Sequence, residues 1–493
     1  MLILNINKDE DTPLYKQITD GIIERITSGV LHDGDALPPS RQLADMLDVN
    51  RSTVYKAYTD LWALGYIDSR PGSYSIVRAR KELLKKPGED HTCTVNWNEM
   101  LNESAHRMLD DRNSPADIDS TEWPREMIDF SKLDVDTRLI PVDEIRKYCS
   151  KLVVPSNHQL FGYEHPKGNA VLRQCISERL SLHGIKASTD EILVTHGSNQ
   201  GIDLILRTYL NAGDTVAVEA PTYQLLPYLL RYHKAKVIEI PLLKTGMDLQ
   251  ALEKAAKTNN IKFVYTIPNL HNPSGVSTSQ EHREKLLEIC EKYNILLMED
   301  GYEEEMKYFG KVHLPIKSMD KHKHVFYIGS LSKVFSPGLR LGWVVAHPKS
   351  INQLCAMKRV NDVTSNTFVQ MLVAELFKEN YLDGYIKRNN RVSKRRMQAA
   401  LKALDELIPT GWIDYQTPLG GYLLWLKVNL PENQIVDLEK HLYKYNVAVS
   451  GGQKFFWNKP DGNYIRLAIS RMEEDVIRKG IMQIRKGLEE LMK

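Results

Sequence analysis

The beginning of the chain carries apolar side chains at a helical spacing. Leu14, Ile18, Ile22 and Ile26 recur every fourth residue, which places them on one face of a helix. Gly29 follows the last of them, and glycine commonly ends a helix. The pattern predicts an amphipathic helix that packs this apolar face against a neighbouring element.

Two shorter helices are predicted after the first one. Pro38 and Pro39 precede Ser40, which is the expected N-cap of the earlier helix, and Gly65 follows the later one. Their apolar positions are Leu43, Ala44 and Leu47 in the earlier helix and Val54, Tyr58, Leu61 and Trp62 in the later one. Because only residues 48–50 separate the two, the pair predicts a helix-turn-helix.

A hairpin and then a linker are predicted next. Residues 66–68 and 74–77 flank a Ser-Arg-Pro-Gly-Ser turn, so residues 1–78 predict a winged helix. Residues 81–125 contain ten acidic and six basic side chains, interrupted by Pro-Gly and Asn-Ser-Pro. This composition indicates a long linker over residues 79–125, with one amphipathic helix around residues 96–109.

From residue 126 onward, strand-like apolar runs alternate with helical spacing. The runs that predict strands are EILVTH, DTVAVEAP, KFVYTIP, ILLMED and HVFYIGS, and residues 199–210 and 278–293 have helical spacing. Such alternation is typical of an α/β domain with a mostly parallel sheet and flanking helices. Residues 380–493 predict a smaller α/β subdomain that begins with a long polar helix and includes a strand in GGYLLWLKV.

Composition narrows the class of protein. The net charge of +2 excludes a strongly basic, histone-like protein, although a local basic face is allowed. The five cysteines are scattered without a C-x-x-C pair, which favours reduced thiols over disulfides or a structural zinc site, and no metal site is predicted. The N-terminus lacks the pattern of a signal peptide, and no apolar run is long enough to span a membrane. We expect a cytoplasmic protein.

The predicted helix-turn-helix carries side chains suited to DNA. Arg51, Ser52 and Thr53 stand at the start of its second helix, where a recognition helix contacts base edges and phosphates. Arg41 lies on the preceding helix, and Arg70 at the turn of the hairpin could reach a minor groove. A small helical interaction module is the alternative, since residues 1–80 carry a net charge of −2.

The residues of this region also resemble a known family. The run LPPSRQLADMLDVNRSTVYKAYTDLWALGYIDSRPGS is similar to the winged-helix domain of the GntR superfamily. The resemblance implies binding to a double-stranded DNA operator. It assigns the contacts to Arg41, Arg51, Ser52, Thr53 and Arg70 and to the wing at Gly72.

The sequence GSLSKVFSPGLRLGW at residues 329–343 is the most informative part of the large domain. Lys333 comes directly after a predicted strand, beside Ser330 and Ser332 and seven residues before Arg340. A lysine that forms a Schiff base needs partial burial and neighbouring cations, because both lower its pKa. Arg340 and the two serines could hold a phosphate nearby. A surface lysine is the alternative for such a residue taken alone.

Other strand ends carry polar groups that suit a pyridine cofactor. Ser198 and Asn199 follow a glycine at a predicted helix N-terminus, a site for an anion. Asp300 could pair with a ring nitrogen, and Arg466 could bind a carboxylate with two hydrogen bonds. Asn272 and Tyr302 could donate to a phenolate oxygen, and Tyr223 could stack on the ring. Taken singly, Tyr223 is better interpreted as a core residue and Asp300 as a helix cap, while a buried salt bridge is an equal alternative for Arg466.

Together these motifs resemble the fold-type I pyridoxal-phosphate aminotransferases of class I/II, from about residue 126 to 490. The resemblance implies that Lys333 binds pyridoxal 5′-phosphate covalently, and it assigns roles to the other residues. The cofactor contacts that it implies are Asp300, Asn272, Tyr302, Tyr223, Ser198, Asn199, Ser330, Ser332 and Arg340, with Arg466 for the α-carboxylate. In GYEHPKGNAVLR, it implies that Tyr163 reaches the phosphate of a neighbouring subunit, and therefore a homodimer.

The combination of the two domains resembles the MocR (GabR-type) family of bacterial regulators. The stretch EDGYEEEMKYFG is also similar to that family's pattern. One departure concerns FSKLDVDTRLIP at residues 130–141, which lacks the glycine that many aminotransferases have after the first strand of the domain. This departure predicts weak transamination or a half-reaction only.

We therefore expect a pyridoxal-phosphate-dependent transcriptional regulator. A small amino acid or amine would displace Lys333, and the resulting external aldimine would change how the paired winged helices sit on DNA. The alternative is a metabolic class I/II aminotransferase with an autoregulatory DNA-binding domain. A DNA-bound scaffold with an inactive cofactor site is disfavoured, because every cofactor contact is present in the sequence.

Overall fold

The computed structural model divides the chain into two compact units, residues 1–100 and 101–493. It describes residues 4, 6–68, 74–78, 95–109, 124, 126–302, 305–308, 310–431 and 434–493. Within these residues, no helix is both long and apolar enough to cross a membrane.

The N-terminal unit contains the predicted three helices and hairpin. Its elements are α1 (Leu14–Thr27), α2 (Ser40–Leu47), α3 (Arg51–Ala63), β1 (Ile67–Asp68) and β2 (Ile76–Val77). β1 and β2 pair antiparallel, and α3 packs against both α1 and α2. The buried side chains between them include Ile18, Ile22, Ile26, Leu43, Val54 and Leu61. The predicted winged-helix arrangement is confirmed.

Two details of the helix-turn-helix differ from the prediction. Ser40 is the first residue of α2, and Pro39 occupies the cap position without a side-chain hydrogen bond. Trp62 is 57% exposed, because it lies at the edge of the apolar stripe that Val54, Tyr58 and Leu61 form. The predicted capping role of Ser40 is therefore wrong, and Trp62 does not share the buried face of the other three apolar residues of α3.

The linker contains a shorter helix than the spacing predicted. α4 (Glu103–Leu109) begins only after Asn102, whose side-chain oxygen accepts a hydrogen bond of 2.9 Å from the amide of Ala105. Residues 97–100 form turns instead. An asparagine that caps the first turn in this way fixes where a helix can start.

The rest of the second unit is built from helices and strands that alternate along the chain. Its remaining helices are α5 (Val142–Leu152), α6 (Ala170–Leu182), α7 (Ser198–Tyr209), α8 (Leu226–Tyr232), α9 (Leu249–Thr258), α10 (Gln280–Lys292), α11 (Pro348–Asp362), α12 (Thr367–Lys378), α13 (Tyr381–Leu407), α14 (Leu438–Tyr443) and α15 (Glu474–Leu491). Its strands are β3 (Ile128–Asp129), β4 (Ile192–Thr195), β5 (Thr215–Ala220), β6 (Lys236–Leu243), β7 (Gly246–Met247), β8 (Ile261–Thr266), β9 (Leu296–Asp300), β10 (Val325–Ser330), β11 (Gly342–Val345), β12 (Ile413–Tyr415), β13 (Leu423–Val428), β14 (Val447–Ala448), β15 (Ser450–Gly451) and β16 (Asn463–Ala468).

The large sheet has eight strands in the order β4-β11-β10-β9-β8-β5-β6-β7. The strands β10, β9, β8, β5 and β6 are parallel neighbours, whereas β11 is antiparallel to both β10 and β4. The five strands predicted from apolar runs are β4, β5, β8, β9 and β10. Because these five run in one direction, their carboxyl ends lie at the same edge of the sheet.

A second sheet forms the smaller subdomain. β12, β13, β16 and β15 are antiparallel neighbours, and the long helix α13 packs against α15 beside them. β3 pairs with β14, which brings the residues that follow the linker to this subdomain. Phe130 is fully buried there, at a position where Gly480 on α15 leaves room for its ring.

Candidate functional site

A cavity of about 320 Å³ opens at the carboxyl edge of the large sheet. The segments that follow β4, β5, β8, β9 and β10 all contribute to its wall, and the small subdomain closes it from the other side. Nine residues singled out from the sequence line this cavity: Ser198, Tyr223, Asn272, Asp300, Tyr302, Ser330, Ser332, Lys333 and Arg466.

Asp300 is the last residue of β9 and is buried in this wall. Its Oδ2 accepts a hydrogen bond of 2.8 Å from the hydroxyl of Tyr265, whereas its Oδ1 accepts none that the described residues provide. Burial raises the pKa of Asp300 to about 6, because a charged carboxylate loses its hydration there. A buried acid with one open oxygen suits a cationic ring nitrogen.

Two tyrosines lie near Asp300. The hydroxyl of Tyr223 donates to Oδ1 of Asn199 at 3.0 Å, and burial raises the pKa of Tyr223 to about 12. The hydroxyl of Tyr302 donates to the carbonyl oxygen of Leu270 at 3.0 Å. The Tyr223 phenol is uncharged at neutral pH, and its hydrogen bond to Asn199 holds the ring at the cavity wall.

The start of α7 forms a cradle for an anion. Gly197 precedes this helix with a φ of 85°, and a Cβ atom there would lie 2.9 Å from Nη2 of Arg340. Nη2 of Arg340 donates to the carbonyl oxygen of His196 at 3.0 Å. Ser332 is buried, and its hydroxyl has no hydrogen-bond partner among the described residues. Free helix amides, a guanidinium and an unsatisfied hydroxyl are groups that bind phosphate.

Lys333 follows the end of β10 and reaches across the cavity. Its Nζ donates a hydrogen bond to the carbonyl oxygen of Leu133, in the segment that lacks the expected glycine. The hydroxyl of Tyr422 donates to the carbonyl oxygen of Lys333 at 2.8 Å and so fixes the backbone beneath it. Leu133 thus contacts the amine of Lys333, and Tyr422 contacts its backbone.

Arg466 lies on β16 and is 2% exposed. Nη1 donates to Oδ1 of Asn272 at 3.2 Å, and Nη2 donates to the carbonyl oxygen of Ser131 at 2.7 Å and to Oγ of Ser450 at 3.1 Å. The ring of Phe455 lies 5.0 Å from the guanidinium carbon. These contacts hold the guanidinium at the cavity wall, where a carboxylate could replace the neutral acceptors.

Three predicted cofactor residues do not line the cavity. The side chain of Asn199 accepts a hydrogen bond from Tyr223, which lines the cavity. The guanidinium of Arg340 packs against the turn at Gly197. The side chain of Tyr163 is on the surface, since the residue is 88% exposed. A residue placed in this way is accessible to a second chain.

Several cavity residues were not identified from the sequence. The additional lining residues are Ser131, Lys132, Leu133, Asp134, Gln224, Leu225, Ile267, Glu439, Ser450 and Lys454. Gln224 and Leu225 directly follow Tyr223, so proximity in sequence could have indicated them. The others come from segments far apart in the chain, and only their packing brings them together.

Four of the six predicted DNA-contacting residues lie on the two helices of the helix-turn-helix. Arg51 and Ser52 are exposed at the start of α3, Thr53 is partly exposed, and Arg41 is exposed on α2. The side-chain oxygen of Asn50 caps α3 by accepting from the amide of Ser52 at 2.9 Å. Arg70 and Gly72, the predicted wing residues, lie outside the described residues.

Comparison with known families identifies both units. Residues 126–484 match the family described as aminotransferase class I and II, and residues 14–77 match the bacterial regulatory proteins of the gntR family. The chain is 35% identical to aromatic-amino-acid aminotransferase 1 of Thermococcus litoralis over 72% of this chain and 86% of that protein.

A transcriptional regulator is similar to this chain over nearly its full length. The uncharacterized HTH-type transcriptional regulator YdfD of Bacillus subtilis is 29% identical over 98% of both chains. Among solved structures, the α-aminoadipate aminotransferase LysN of Thermus thermophilus, complexed with N-(5′-phosphopyridoxyl)-L-leucine, has a TM-score of 0.74 and 28% identity. The match covers 81% of this chain and 99% of that one.

Proposed function

Because this chain belongs to the class I and II aminotransferase family and carries a gntR-family domain at its N-terminus, we propose that it is a pyridoxal-phosphate-dependent transcriptional regulator. It binds DNA through the winged helix and a small amino acid or amine in the cavity of the second unit. The observation that carries the proposal is the presence, in one chain, of a winged helix with an exposed start of α3 and a cavity lined by nine of the residues expected to bind the cofactor or its ligand.

Pyridoxal phosphate fits the polar groups of the cavity. The open oxygen of the buried Asp300 matches its ring nitrogen, and the turn at Gly197 with Arg340 and the unsatisfied hydroxyl of Ser332 matches its phosphate. When bound, this cofactor supplies an aldehyde that condenses with amines and a ring that withdraws electrons from them.

The chain's own residues orient and bind. Asp300 keeps a proton on the ring nitrogen, and Asn272 and Tyr302 supply polar contacts to the phenolic oxygen. Lys333 supplies the amine that an incoming ligand replaces, and Arg466 binds the ligand's α-carboxylate. Arg466 also donates to the carbonyl oxygen of Ser131, so the ligand and the segment after β3 contact the same guanidinium.

We further propose a homodimer that acts in the cytoplasm, where bacterial DNA is found. Tyr163 supports the dimer, since its exposed ring would reach the phosphate site of the second subunit. Paired winged helices suit an operator with two half-sites, as in other dimeric helix-turn-helix proteins.

A contact between the linker and the cofactor domain offers a route for the signal. α4 of the linker packs against α8, and Oε2 of Glu103 accepts a hydrogen bond of 2.6 Å from Nζ of Lys234, just beyond α8. α8 itself follows Tyr223, Gln224 and Leu225 of the cavity wall. A shift of this wall on ligand binding would therefore move the surface on which the linker rests.

A metabolic aminotransferase remains the second candidate, favoured by the likeness to enzymes over the cofactor domain. The winged helix and the side chain of Leu133 in the cavity argue for regulation with weak turnover or a half-reaction.

The test uses the full-length protein loaded with pyridoxal phosphate. Borohydride should fix the cofactor to the peptide that contains Lys333, and Lys333→Ala should abolish this fixation. Amino acids and amines are then screened for a change in visible absorption, and each hit is tested for its effect on binding to the intergenic DNA beside the gene. A hit that changes DNA binding with negligible keto-acid production supports the regulator. Rapid turnover without any effect on DNA binding would support the enzyme instead.

A further inference from the structure

The cavity also contains an ion pair that was not assigned to the cofactor. Nζ of Lys454 donates to Oε1 of Glu439 at 2.8 Å, and Oε2 of Glu439 accepts from the amide of Gly451 at 3.1 Å. The side chains of Lys454 and Glu439 are 24% and 33% exposed, and both line the cavity. The pair is thus fixed to the backbone of the small subdomain and faces the ligand space.

In this ion pair, Lys454 has N–H donors to spare, whereas both carboxylate oxygens of Glu439 are already hydrogen-bonded. An ammonium group has three donors, and the described part of the chain engages one of those of Lys454, at Glu439. Both oxygens of Glu439 already accept a hydrogen bond. A ligand group that meets this pair therefore satisfies it best by accepting hydrogen bonds.

The pair lies close to the arginine proposed for the α-carboxylate. Ser450 on β15 is the strand partner of Arg466, and Gly451, which holds Glu439, is the next residue. Arg466 and Lys454 are therefore two cationic groups that line the same cavity. Two cations on one cavity wall suit a ligand with an anionic group at each end.

The other charged side chains that line this part of the cavity do not remove its preference for an anionic ligand group. Lys132 adds a cation to the cavity lining, with Nζ at 4.0 Å from Oδ2 of Asp129. Asp134, the remaining acid of this part of the lining, has its own cation in Arg471, with Nη1 3.7 Å from its Oδ2.

We propose that the effector is an amino acid with a second carboxylate at the end of its side chain, and that Lys454, positioned by Glu439, binds that carboxylate. This inference rests on the proposed function, because it takes the α-carboxylate to be bound by Arg466. Glu439 acts as a positioning residue that keeps the ammonium group aimed at the cavity.

The experiment compares ligands of similar size and different charge. The full-length protein loaded with pyridoxal phosphate is titrated with L-aspartate, L-glutamate, L-glutamine, L-norvaline and L-ornithine, and half-saturation is read from its visible absorption. The affinity for L-glutamate or L-aspartate should be at least about ten-fold higher than that for L-glutamine, since a charge-assisted hydrogen bond is stronger than a neutral one. Equal affinities, or tightest binding of L-ornithine, would overturn the proposal.

Variants assign the preference to one residue. Lys454→Met keeps the length of the side chain and should weaken binding of the acidic ligand about 10- to 100-fold while changing L-norvaline little. Lys459→Met, an exposed lysine outside the cavity, is the matched control and should change neither ligand. Glu439→Gln should retain the preference for the acid, because the amide oxygen of glutamine can still accept from Nζ of Lys454 and position it. If Lys454→Met left the ratio of L-glutamate to L-glutamine affinities unchanged, the assignment would be wrong.

Two measurements on the same samples separate this inference from the proposed function. Cofactor retention after gel filtration and binding to the intergenic DNA report on the regulator itself. Loss of either in the unmodified protein would contradict the proposed function. A protein that retains both and shows no preference for acidic ligands would contradict the effector class alone.

Discussion

The hydroxyl of Tyr265 donates a 2.8 Å hydrogen bond to Oδ2 of Asp300, across two neighbouring parallel strands beneath the cavity. Both side chains are buried, and burial raises the pKa of each, that of Asp300 to about 6. The hydrogen bond lowers the pKa of Asp300 and so opposes the effect of burial. Tyr265 therefore tunes the acid that is proposed to face the ring nitrogen of the cofactor.

Replacing Tyr265 by phenylalanine should weaken cofactor binding at neutral pH. The carboxylate of Asp300 would lose a buried donor, which costs about 1.5 kcal/mol or more, or roughly ten-fold in affinity. The dissociation constant of pyridoxal phosphate can be followed by the fluorescence of the protein. Tyr209→Phe, which removes a hydroxyl bonded to Gln353 on the surface, is the matched control. An unchanged dissociation constant in Tyr265→Phe would contradict a tuning role.

The raised pKa of Asp300 makes the stability of the cofactor-free protein depend on pH. Between the ordinary value of 3.8 and about 6, the folded protein holds a proton that the unfolded chain has lost. Stability should consequently fall as the pH rises through this window, by about 3 kcal/mol for a shift of about two units. Asp300→Asn removes the titrating group and should flatten the dependence. Thermal unfolding at pH 4 and pH 7 measures this pH dependence of stability. If the unmodified protein and Asp300→Asn showed the same dependence, Asp300 would not be its source.

The side chain of Leu133 should limit turnover. It lines the cavity, and the carbonyl oxygen of the same residue holds Lys333. Leu133→Gly removes this side chain and lets the segment shift, so keto-acid production from an accepted amino acid should rise by about ten-fold. Leu139→Ala, in the same segment but outside the cavity, should leave the rate unchanged. A slower Leu133→Gly protein that still retains its cofactor would contradict this role.

Arg51 should contribute one phosphate or base contact on DNA. It is exposed at the first position of α3. In Arg51→Ala, DNA affinity should fall, and for a phosphate contact the slope of log affinity against log salt should decrease by roughly 0.9. Lys16→Ala removes an exposed cation from α1 and should have a smaller effect. Equal salt slopes in the unmodified protein and Arg51→Ala would show that Arg51 contacts no phosphate.

The contact between linker and cofactor domain should be needed for the response to the effector. The Glu103 carboxylate lies 2.6 Å from Nζ of Lys234 and 2.5 Å from Nη2 of Arg107. Lys234→Glu places two carboxylates next to each other and should repel α4. In the unmodified protein the effector should change DNA affinity about five-fold or more, and in Lys234→Glu this change should nearly disappear. Glu103→Lys combined with Lys234→Glu should restore part of the response. A full response in Lys234→Glu would place the signal elsewhere.

The sequence alone determined the helices and hairpin of the N-terminal unit and the five strands at the centre of the cofactor domain. Apolar residues at a spacing of four predicted α1, and unbroken apolar runs predicted the five parallel strands, because burial requires these periodicities whatever the neighbours are. Motifs at strand ends also identified eight residues of the cavity, since parallel strands bring their carboxyl ends together, and a strand of the smaller sheet supplied the ninth, Arg466. The differences were local: Ser40 does not cap α2, Trp62 is exposed, and α4 starts after Asn102.

Only the tertiary structure decided which distant groups complete the cavity. The bond from Lys333 to Leu133 joins residues 200 positions apart, and that from Arg466 to Ser131 spans 335 positions. The pair of Lys454 and Glu439 likewise depends on how a short loop packs against α14. The local spacing of residues cannot predict such contacts, because they depend on the packing of one subdomain against another. The sequence therefore determined the cofactor-binding elements, while the packing of the small subdomain decided which charges meet the ligand.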